Sequence, residues 1–409
     1  MMQSDISNRQ AVKDMGDSIR ETLQGFIDQK IAAGVSALIT VEGKGELFYS
    51  TGMADRASKR PFLRDAILRM YSTTKPATAV AVMTLVEAGV FTLDMPISRY
   101  LPEWKDIKVC VLREGKLVLE EAQREITVFD LLTMTSGIPY PANRTTDDVI
   151  LNEVTRHYKM AFRRIAAMEA LGKAVSTREV VRQMAQCPLC FHPGERWMYG
   201  FSADVLGALV VAATGKELGV YMKEKIFDPL GMADTGFRVQ KEKLDRMAPV
   251  YAPGKNGLVR LPKKRELAMI EEGGFESGGG GLYSTVDDYT RFARMLLNCG
   301  ELDGVRILTK QSVEVMTTNH LTEQQRLGCT WGDENGYGYG FQMRVLTDRS
   351  KTDYHESVGA FGWNGLAGVS MRIDPVRRTT LLFGVQRIPP NHELFLPQLT
   401  EAVEKELGF

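Results

Sequence analysis

The chain has 409 residues, enough for two or three domains or one large composite. Its 51 lysines and arginines balance 51 aspartates and glutamates, and no basic stripe with interleaved aromatics marks a nucleic-acid partner. Apolar residues make up 44%, ample for a core, yet no apolar run reaches membrane-spanning length.

The opening residues Met1 to Asn8 are polar and lack the apolar segment of a secretory signal, which predicts a cytoplasmic protein. Asp5 to Ala33 reads as an amphipathic helix with Ile19, Leu23, Phe26 and Ile27 on one side. Val35 to Val41 and Leu47 to Thr51 read as strands joined by the turn Glu42-Gly43-Lys44-Gly45. Next comes Met70 to Gly89. From Ala77 to Ala88 only Thr78, Thr84 and Glu87 are polar, which predicts a helix buried on all sides and stopped by Gly89. Ser72 and Lys75 open it, three residues apart and so on one face. A lysine entering a core is costly when charged, so its pKa is expected to fall. A neutral amine beside a serine can take the serine's proton. The plainer reading of the same pair is an N-capping serine followed by a solvated lysine. Pro76 disfavours helical geometry at Lys75 but is tolerated in a first turn, so the helix is expected to start at or just before Ser72.

Val109 to Glu120 reads as a second hairpin, and Ile126 to Ile138 as a short helix ending in a turn shaped by Ser136 and Gly137. Helices are expected over Asp147 to Ala170, Thr177 to Ala185 and Phe201 to Ala213, then a hairpin over Met247 to Leu261. The glycines of Ser277 to Gly281 are not a phosphate loop, because no Gly-Lys-Ser/Thr follows; they permit tight backbone turns. Thr285 to Asp288 has a capping-box pattern. Strands return at Tyr339 to Leu346, Leu366 to Ile373 and Thr379 to Val385, and Leu394 to Leu407 closes as a helix. Strands at both ends with helices between them predict a discontinuous α/β domain, 1–70 and 287–409, and a mainly helical domain, 71–286.

The five cysteines, Cys110, Cys187, Cys190, Cys299 and Cys329, are scattered and odd in number, which argues against a disulfide framework. Cys187-Pro188-Leu189-Cys190 has metal-ligand spacing but no second pair or nearby histidine pair. The histidines His157, His192, His320, His355 and His392 show no metal spacing, and no Gly-x-Ser-x-Gly elbow exists.

Ser72-Thr73-Thr74-Lys75 resembles the Ser-x-x-Lys element of the serine β-lactamase and penicillin-binding-protein superfamily, most of all its class C branch and the related family VIII esterases. Three further stretches follow in the superfamily's order. Ile126 to Ile138 is similar to its Thr-Ser-Gly element, with Met134 where histidine is common. Pro193 to Gly207 resembles its tyrosine motif: Tyr199 carries over, but Phe201 stands where class C has asparagine. Taken alone, Tyr199 reads as a half-buried tyrosine with a satisfied hydroxyl. Gly359 to Pro375 resembles the edge strand that carries Lys-Thr-Gly in β-lactamases. Trp363-Asn364-Gly365 is similar to the Trp-Gly-Gly of family VIII, although Ser357-Val358-Gly359 also fits the slot.

The resemblance implies a β-lactamase-like α/β (α+β) fold: an antiparallel sheet flanked by terminal helices, a helical domain alongside, and the site in the cleft. It implies a serine hydrolase working through an acyl-enzyme, without cofactor or metal. Ser72 is the expected nucleophile, Lys75 the general base and Tyr199 the assisting acid. The amides of Ser72 and Leu366 form the expected oxyanion hole, and Phe201, Trp363, Asn364 and Gly365 contact substrate. Trp363 in place of a lysine removes the cation that faces a β-lactam carboxylate, unless Arg372 supplies one. The leading expectation is therefore an esterase acting on small neutral acyl esters. The alternatives are a β-lactamase, a D-amino-acid peptidase or amidase, and a sensor that is acylated without turnover. The sequence leaves the oligomeric state open.

Overall fold

The computed structural model describes residues 17–262, 274–326 and 336–409. Residues 5–16 of the expected opening helix, and Cys329, lie outside them. Eight strands form one antiparallel sheet: β1 (Gly34–Val41), β2 (Gly45–Asp55), β3 (Arg60–Pro61), β4 (Tyr337–Tyr339), β5 (Arg344–Leu346), β6 (Phe361–Asn364), β7 (Ser370–Asp374) and β8 (Thr379–Val385). Their order across the sheet is β4-β5-β6-β7-β8-β1-β2-β3. The sheet closes across the chain: β1 pairs with β8, with Val35 opposite Val385 and Val41 opposite Thr379. Every residue of β1 is buried, because helices cover both faces at this join.

Of the helices among the described residues, six frame the sheet and the site: α1 (Asp17–Asp28), α2 (Thr74–Glu87), α3 (Val149–Ala170), α4 (Ser202–Thr214), α5 (Val286–Leu297) and α6 (His392–Leu407). Side chains alternate across a strand, so successive residues of β1 feed two cores. Val35, Ala37 and Ile39 join Ile19, Leu23 and Phe26 of α1 and Phe395, Leu396 and Leu399 of α6. Phe26 packs edge-on against Phe395 with ring centroids 4.8 Å apart. Leu38 faces the other way, into a larger core with Met371, Leu382, most of α2 and the inner faces of α4 and α5.

The helix bearing Ser72 and Lys75 starts as a 3₁₀ turn over Tyr71–Thr73 and becomes α2 at Thr74. Residues Thr74 to Met83 are all buried, and Gly89, at φ +71°, follows the last turn. Two expected strands differ. The segment from Tyr339 to Leu346 is a reversal, not one strand: Gly340 N–H bonds Met343 O at 2.8 Å with Gln342 at φ +59°. The strand expected from Leu366 begins at Ser370, because Gly365 to Gly368 make the turn between β6 and β7, with Gly368 N–H on Gly365 O at 2.8 Å. Thr285 caps α5 through Asp288 N–H at 3.1 Å, while the Asp288 carboxylate bonds Asp234 N–H and Thr235 instead of completing a capping box.

Cys187 and Cys190 are buried, and burial pushes the Cys187 thiol up to about 12 and the Cys190 thiol up as well, so both stay protonated and inert as nucleophiles at neutral pH. Among the described residues no single helix is long and apolar enough to cross a membrane.

Glu404 fastens α6 to the sheet side. Its carboxylate meets His355 Nδ1 at 2.6 Å, Arg349 Nη2 at 3.2 Å and Arg377 Nη2 at 2.5 Å. The His355 hydrogen bond, then those from Arg377 and Arg349, hold its pKa at about 2, against an ordinary 4.5. A depressed carboxylate pKa stabilises the fold above the unfolded value, and that contribution fades as pH falls from 4.5 toward 2. Glu404→Gln is therefore expected to lower Tm at neutral pH, with the gap to the parent closing across that acid window. Thermal melts at a series of pH values check this; a gap that stays constant would contradict it.

Candidate active site

Tyr71 has φ +45°, a conformation a bulky residue rarely adopts, and it turns the chain from Leu68–Arg69 into the 3₁₀ turn that carries Ser72. Ser72 is half-buried and lines a cavity of about 410 Å³. Lys75 is fully buried. Its ammonium donates to Gly279 O at 2.6 Å, Tyr140 OH at 3.0 Å and Ser72 Oγ at 3.3 Å. It also lies 4.6 Å from the centroid of the Tyr199 ring. An unpaired ammonium here would cost several kcal/mol; three acceptors and a π face offset that cost.

The Gly279 carbonyl is fixed from two sides. Thr78 Oγ1 donates to Gly278 O at 2.8 Å and Leu282 N–H to Thr74 Oγ1 at 3.1 Å, so α2 grips the glycine loop. A Cβ at Gly278 would sit 2.4 Å from Ala203 O, which explains a glycine there. From α4, Asp204 Oδ1 accepts Ser277 Oγ at 2.5 Å and Gly279 N–H at 3.2 Å. Burial raises the Asp204 carboxyl above its ordinary range, against the pull of the Ser277 bond, Lys75 and the Gly279 bond. The glycine run is thus a set of close backbone approaches, one of which presents a carbonyl to Lys75.

Aromatic rings form the cavity wall. Trp363, 2% exposed, donates from Nε1 to Tyr199 OH at 3.2 Å. The Tyr140 ring meets Tyr199 at 5.2 Å and Phe201 at 4.5 Å between centroids. Burial, with Tyr199 and Asp204 adding to it, pushes the Tyr140 phenol well up, so it is a proton donor at neutral pH. Gly365 ends β6 against the turn before Ser72: a Cβ there would lie 2.3 Å from Met70 O. This close approach sets Leu366 beside Ser72 at the cavity. Neither the Ser72 nor the Leu366 N–H has a hydrogen-bond partner among the described residues.

Ser72, Tyr199, Trp363, Asn364, Gly365 and Leu366 all line the cavity, with Lys75 directly behind Ser72. Phe201 does not line it; its ring is held behind Tyr140 and stacks on Tyr158 at 6.0 Å. Ser357, the competing fit for the third element, donates its N–H to Asp374 at 2.9 Å and is not on the cavity. Arg372 is buried against Glu356 and Tyr337 and is not on the cavity either. Ser136 accepts Ile138 N–H at 3.3 Å and shares a bond with Ser202 Oγ at 2.8 Å, the part of a turn residue. His355 is engaged by Glu404. Four participants escaped the sequence reading: Tyr140, Asp204, His392 and Glu393. Tyr140 follows the Thr-Ser-Gly element by three residues and Asp204 lies within the tyrosine motif, so position was the available signal. His392 and Glu393 come from the start of α6 and carried none.

A serine and a buried lysine on one helix, set against the end of β6 in an antiparallel sheet, define the β-lactamase-like class of serine hydrolases; β6 lies between β5 and β7, not at the edge of the sheet as the resemblance implies. The chain belongs to the β-lactamase family: that family's model matches residues 19–397. It is 31% identical over 388 residues to an uncharacterized protein of Mycobacterium tuberculosis, covering 91% of this chain and 90% of the relative. It is 30% identical over 378 residues to esterase EstB of Burkholderia gladioli, covering 87% and 88%. Among solved structures it is similar to EstCE1, a hydrolase with promiscuous acyltransferase activity, with a TM-score of 0.77 at 22% identity over 97% of this chain and 99% of that one.

Gly365→Ala tests the close approach. The added methyl must push β6 from Met70 O, moving the Leu366 amide away from Ser72. Ester turnover is expected to fall by roughly 10²-fold, as for a displaced oxyanion donor. Circular dichroism should stay unchanged, and full activity in this variant would contradict the geometry.

Proposed function

We propose that the enzyme hydrolyses small neutral esters through an acyl-enzyme on Ser72. Lys75, in its neutral amine form, takes the Ser72 proton as Oγ bonds to the ester carbonyl carbon. The resulting oxyanion lies between the Ser72 and Leu366 amides, whose N–H groups, without a partner among the described residues, support this assignment. The C–O bond then breaks, and the alcohol leaves with a proton passed from Lys75 through Tyr199, which returns the lysine to its neutral form, while Tyr140 holds it in place. Water, giving its proton to the same lysine, attacks the acyl carbon; the Ser72–acyl bond breaks, the proton returns to Ser72 Oγ, and the acid leaves. Trp363, Asn364 and Gly365 form the acyl or alcohol contacts; Phe201 acts only by backing Tyr140.

The observation that carries the substrate class is the charge of the cavity. Among the described residues its lining holds no lysine or arginine, its indole and phenol rings are apolar, and the exposed Glu393 adds a negative charge. A carboxylate entering there meets repulsion and loses water without a cationic partner, a cost of several kcal/mol. A neutral ester avoids both and packs on Trp363. This disfavours the β-lactamase and D-amino-acid peptidase readings. The esterase name of the Burkholderia relative points the same way.

The proposal includes the cleft between two units, 1–70 with 287–409 and 71–286. Support comes from the lining itself: Ser72, Tyr140 and Tyr199 belong to one, Trp363 to Leu366 and Pro390 to Glu393 to the other. A cytoplasmic setting is proposed as well, supported by the free thiols of Cys110, Cys187, Cys190 and Cys299; cell fractionation tests it.

Ser72→Ala is expected to abolish labelling by a fluorophosphonate and all ester turnover. Lys75→Ala and Tyr199→Phe should each lower kcat by roughly 10²-fold or more, the scale of lost acid–base catalysis, and Tyr140→Phe by less. Intact-protein mass spectrometry and a p-nitrophenyl ester assay read both; retained turnover in Ser72→Ala would overturn the site. For the substrate class, kcat/KM on that ester is expected to exceed kcat/KM on a chromogenic cephalosporin by a wide margin. Equal or better efficiency on the cephalosporin would refute the neutral-cavity reading. A stable acyl adduct without turnover of either would favour a sensor.

A further inference from the structure

The hairpin of Lys108–Arg113 and Lys116–Glu121 stands apart from the main sheet. Leu189 covers the outer edge of its first strand, giving its N–H to Lys108 O at 2.8 Å and accepting Cys110 N–H at 2.9 Å. The second strand has no such cover: among the described residues its outer edge makes no backbone hydrogen bond to another element. The turn is Glu114-Gly115, at φ +49° and +76°, closing on the pair Arg113–Lys116. In a two-residue hairpin the closing pair is hydrogen-bonded and bonding alternates from there. Lys116, Val118 and Glu120 therefore direct their backbone groups to the first strand. Leu117, Leu119 and Glu121 direct theirs outward. Leu117, Val118 and Leu119 are 39%, 42% and 48% exposed. Three successive exposed apolar residues along an unpaired strand edge are a template for another strand, which soluble proteins normally blunt.

We propose that this edge is the seam of a homodimer, two copies of Lys116–Glu121 pairing antiparallel about a two-fold axis at Val118. The residues themselves select the partner and the register. Leu117 exchanges backbone bonds with Leu119 of the partner subunit, Val118 meets its own copy, and Lys116 meets Glu120 of the partner subunit. The strand is self-complementary in this register, apolar at the centre with opposite charges at both ends. Moving the axis to Leu119 sets Val118 against Glu120 and Leu117 against Glu121, burying carboxylates against apolar side chains. Moving it to Leu117 sets Glu114 against Glu120, like charges face to face. Glu120 also holds Arg113 at 2.9 Å and His192 at 3.1 Å, so its carboxylate is already fixed on the face that Lys116 of the partner subunit reaches.

Sedimentation velocity over a concentration series, with an engineered cross-link, tests this. The parent is expected to be a dimer. Leu119→Glu should weaken association by roughly 100-fold, as for loss of a central interface contact, while p-nitrophenyl ester turnover stays unchanged, because the hairpin is not part of the cavity. Val118→Cys should cross-link rapidly to itself under mild oxidation, since non-hydrogen-bonded antiparallel pairs hold Cα atoms about 4.5 Å apart, within disulfide reach. Leu119→Cys, facing a leucine, should not. A parent that is monomeric at every concentration overturns the proposal and assigns the edge to a strand from a different protein. So does a dimer that survives Leu119→Glu and resists cross-linking through Val118→Cys.

Discussion

The structure depends on one buried amine. Lys75 lies in the core of the molecule, where an isolated cation is untenable, and its partners are what the surrounding chain is arranged to supply. The strongest of them is a backbone carbonyl, that of Gly279, at 2.6 Å. A carbonyl cannot rotate away as a side chain can, so its position rests on the whole glycine loop. That loop is bound to α2 through Thr74 and Thr78 and to α4 through Asp204. Three segments far apart in sequence are thereby locked to a single nitrogen. The lysine in turn lies within hydrogen-bond reach of Ser72.

A carbonyl and a buried carboxyl on this side of Lys75, with aromatic rings on the other, leave the cavity beyond with little charge of its own. The amine is engaged inside the wall, and the open face presents indole, phenol and backbone. Arg372, the one cation on the strand following Trp363, is committed to Glu356 in the opposite direction. Polarity is concentrated where bonds are made and broken, and apolar surface where the substrate rests.

Much of this was legible in the sequence because it was written in short-range spacing. A mostly apolar helical segment, a three-residue offset between Ser72 and Lys75, and turn residues at the three hairpins each encode local geometry. The order of four elements identified the family, and with it the juxtaposition of Ser72 and Trp363. What escaped reading is geometry made only by tertiary packing. Tyr140 carries no local pattern, and its contact with Lys75 exists because the loop after Gly137 crosses the mouth of α2. The left-handed backbone at Tyr71 contradicts its residue type and persists only because both flanking segments are fixed. The strand expected through Leu366 failed for a related reason: four residues with apolar character make a turn there because β6 and β7 must reverse, and Gly365 and Gly368 permit it.

The pairing of β1 with β8 has a consequence in time. β1 leaves the ribosome long before β8, the strand that covers one of its edges. Between the two events an eight-residue apolar strand exists with one edge open, beside a nascent α1 whose own partner, α6, has not been made. Contacts of such long sequence separation close late and slowly, and an open apolar edge invites wrong pairing meanwhile. The central strand of the finished enzyme is therefore the most vulnerable segment of the growing one, and the helical half must fold without the sheet it will lean on.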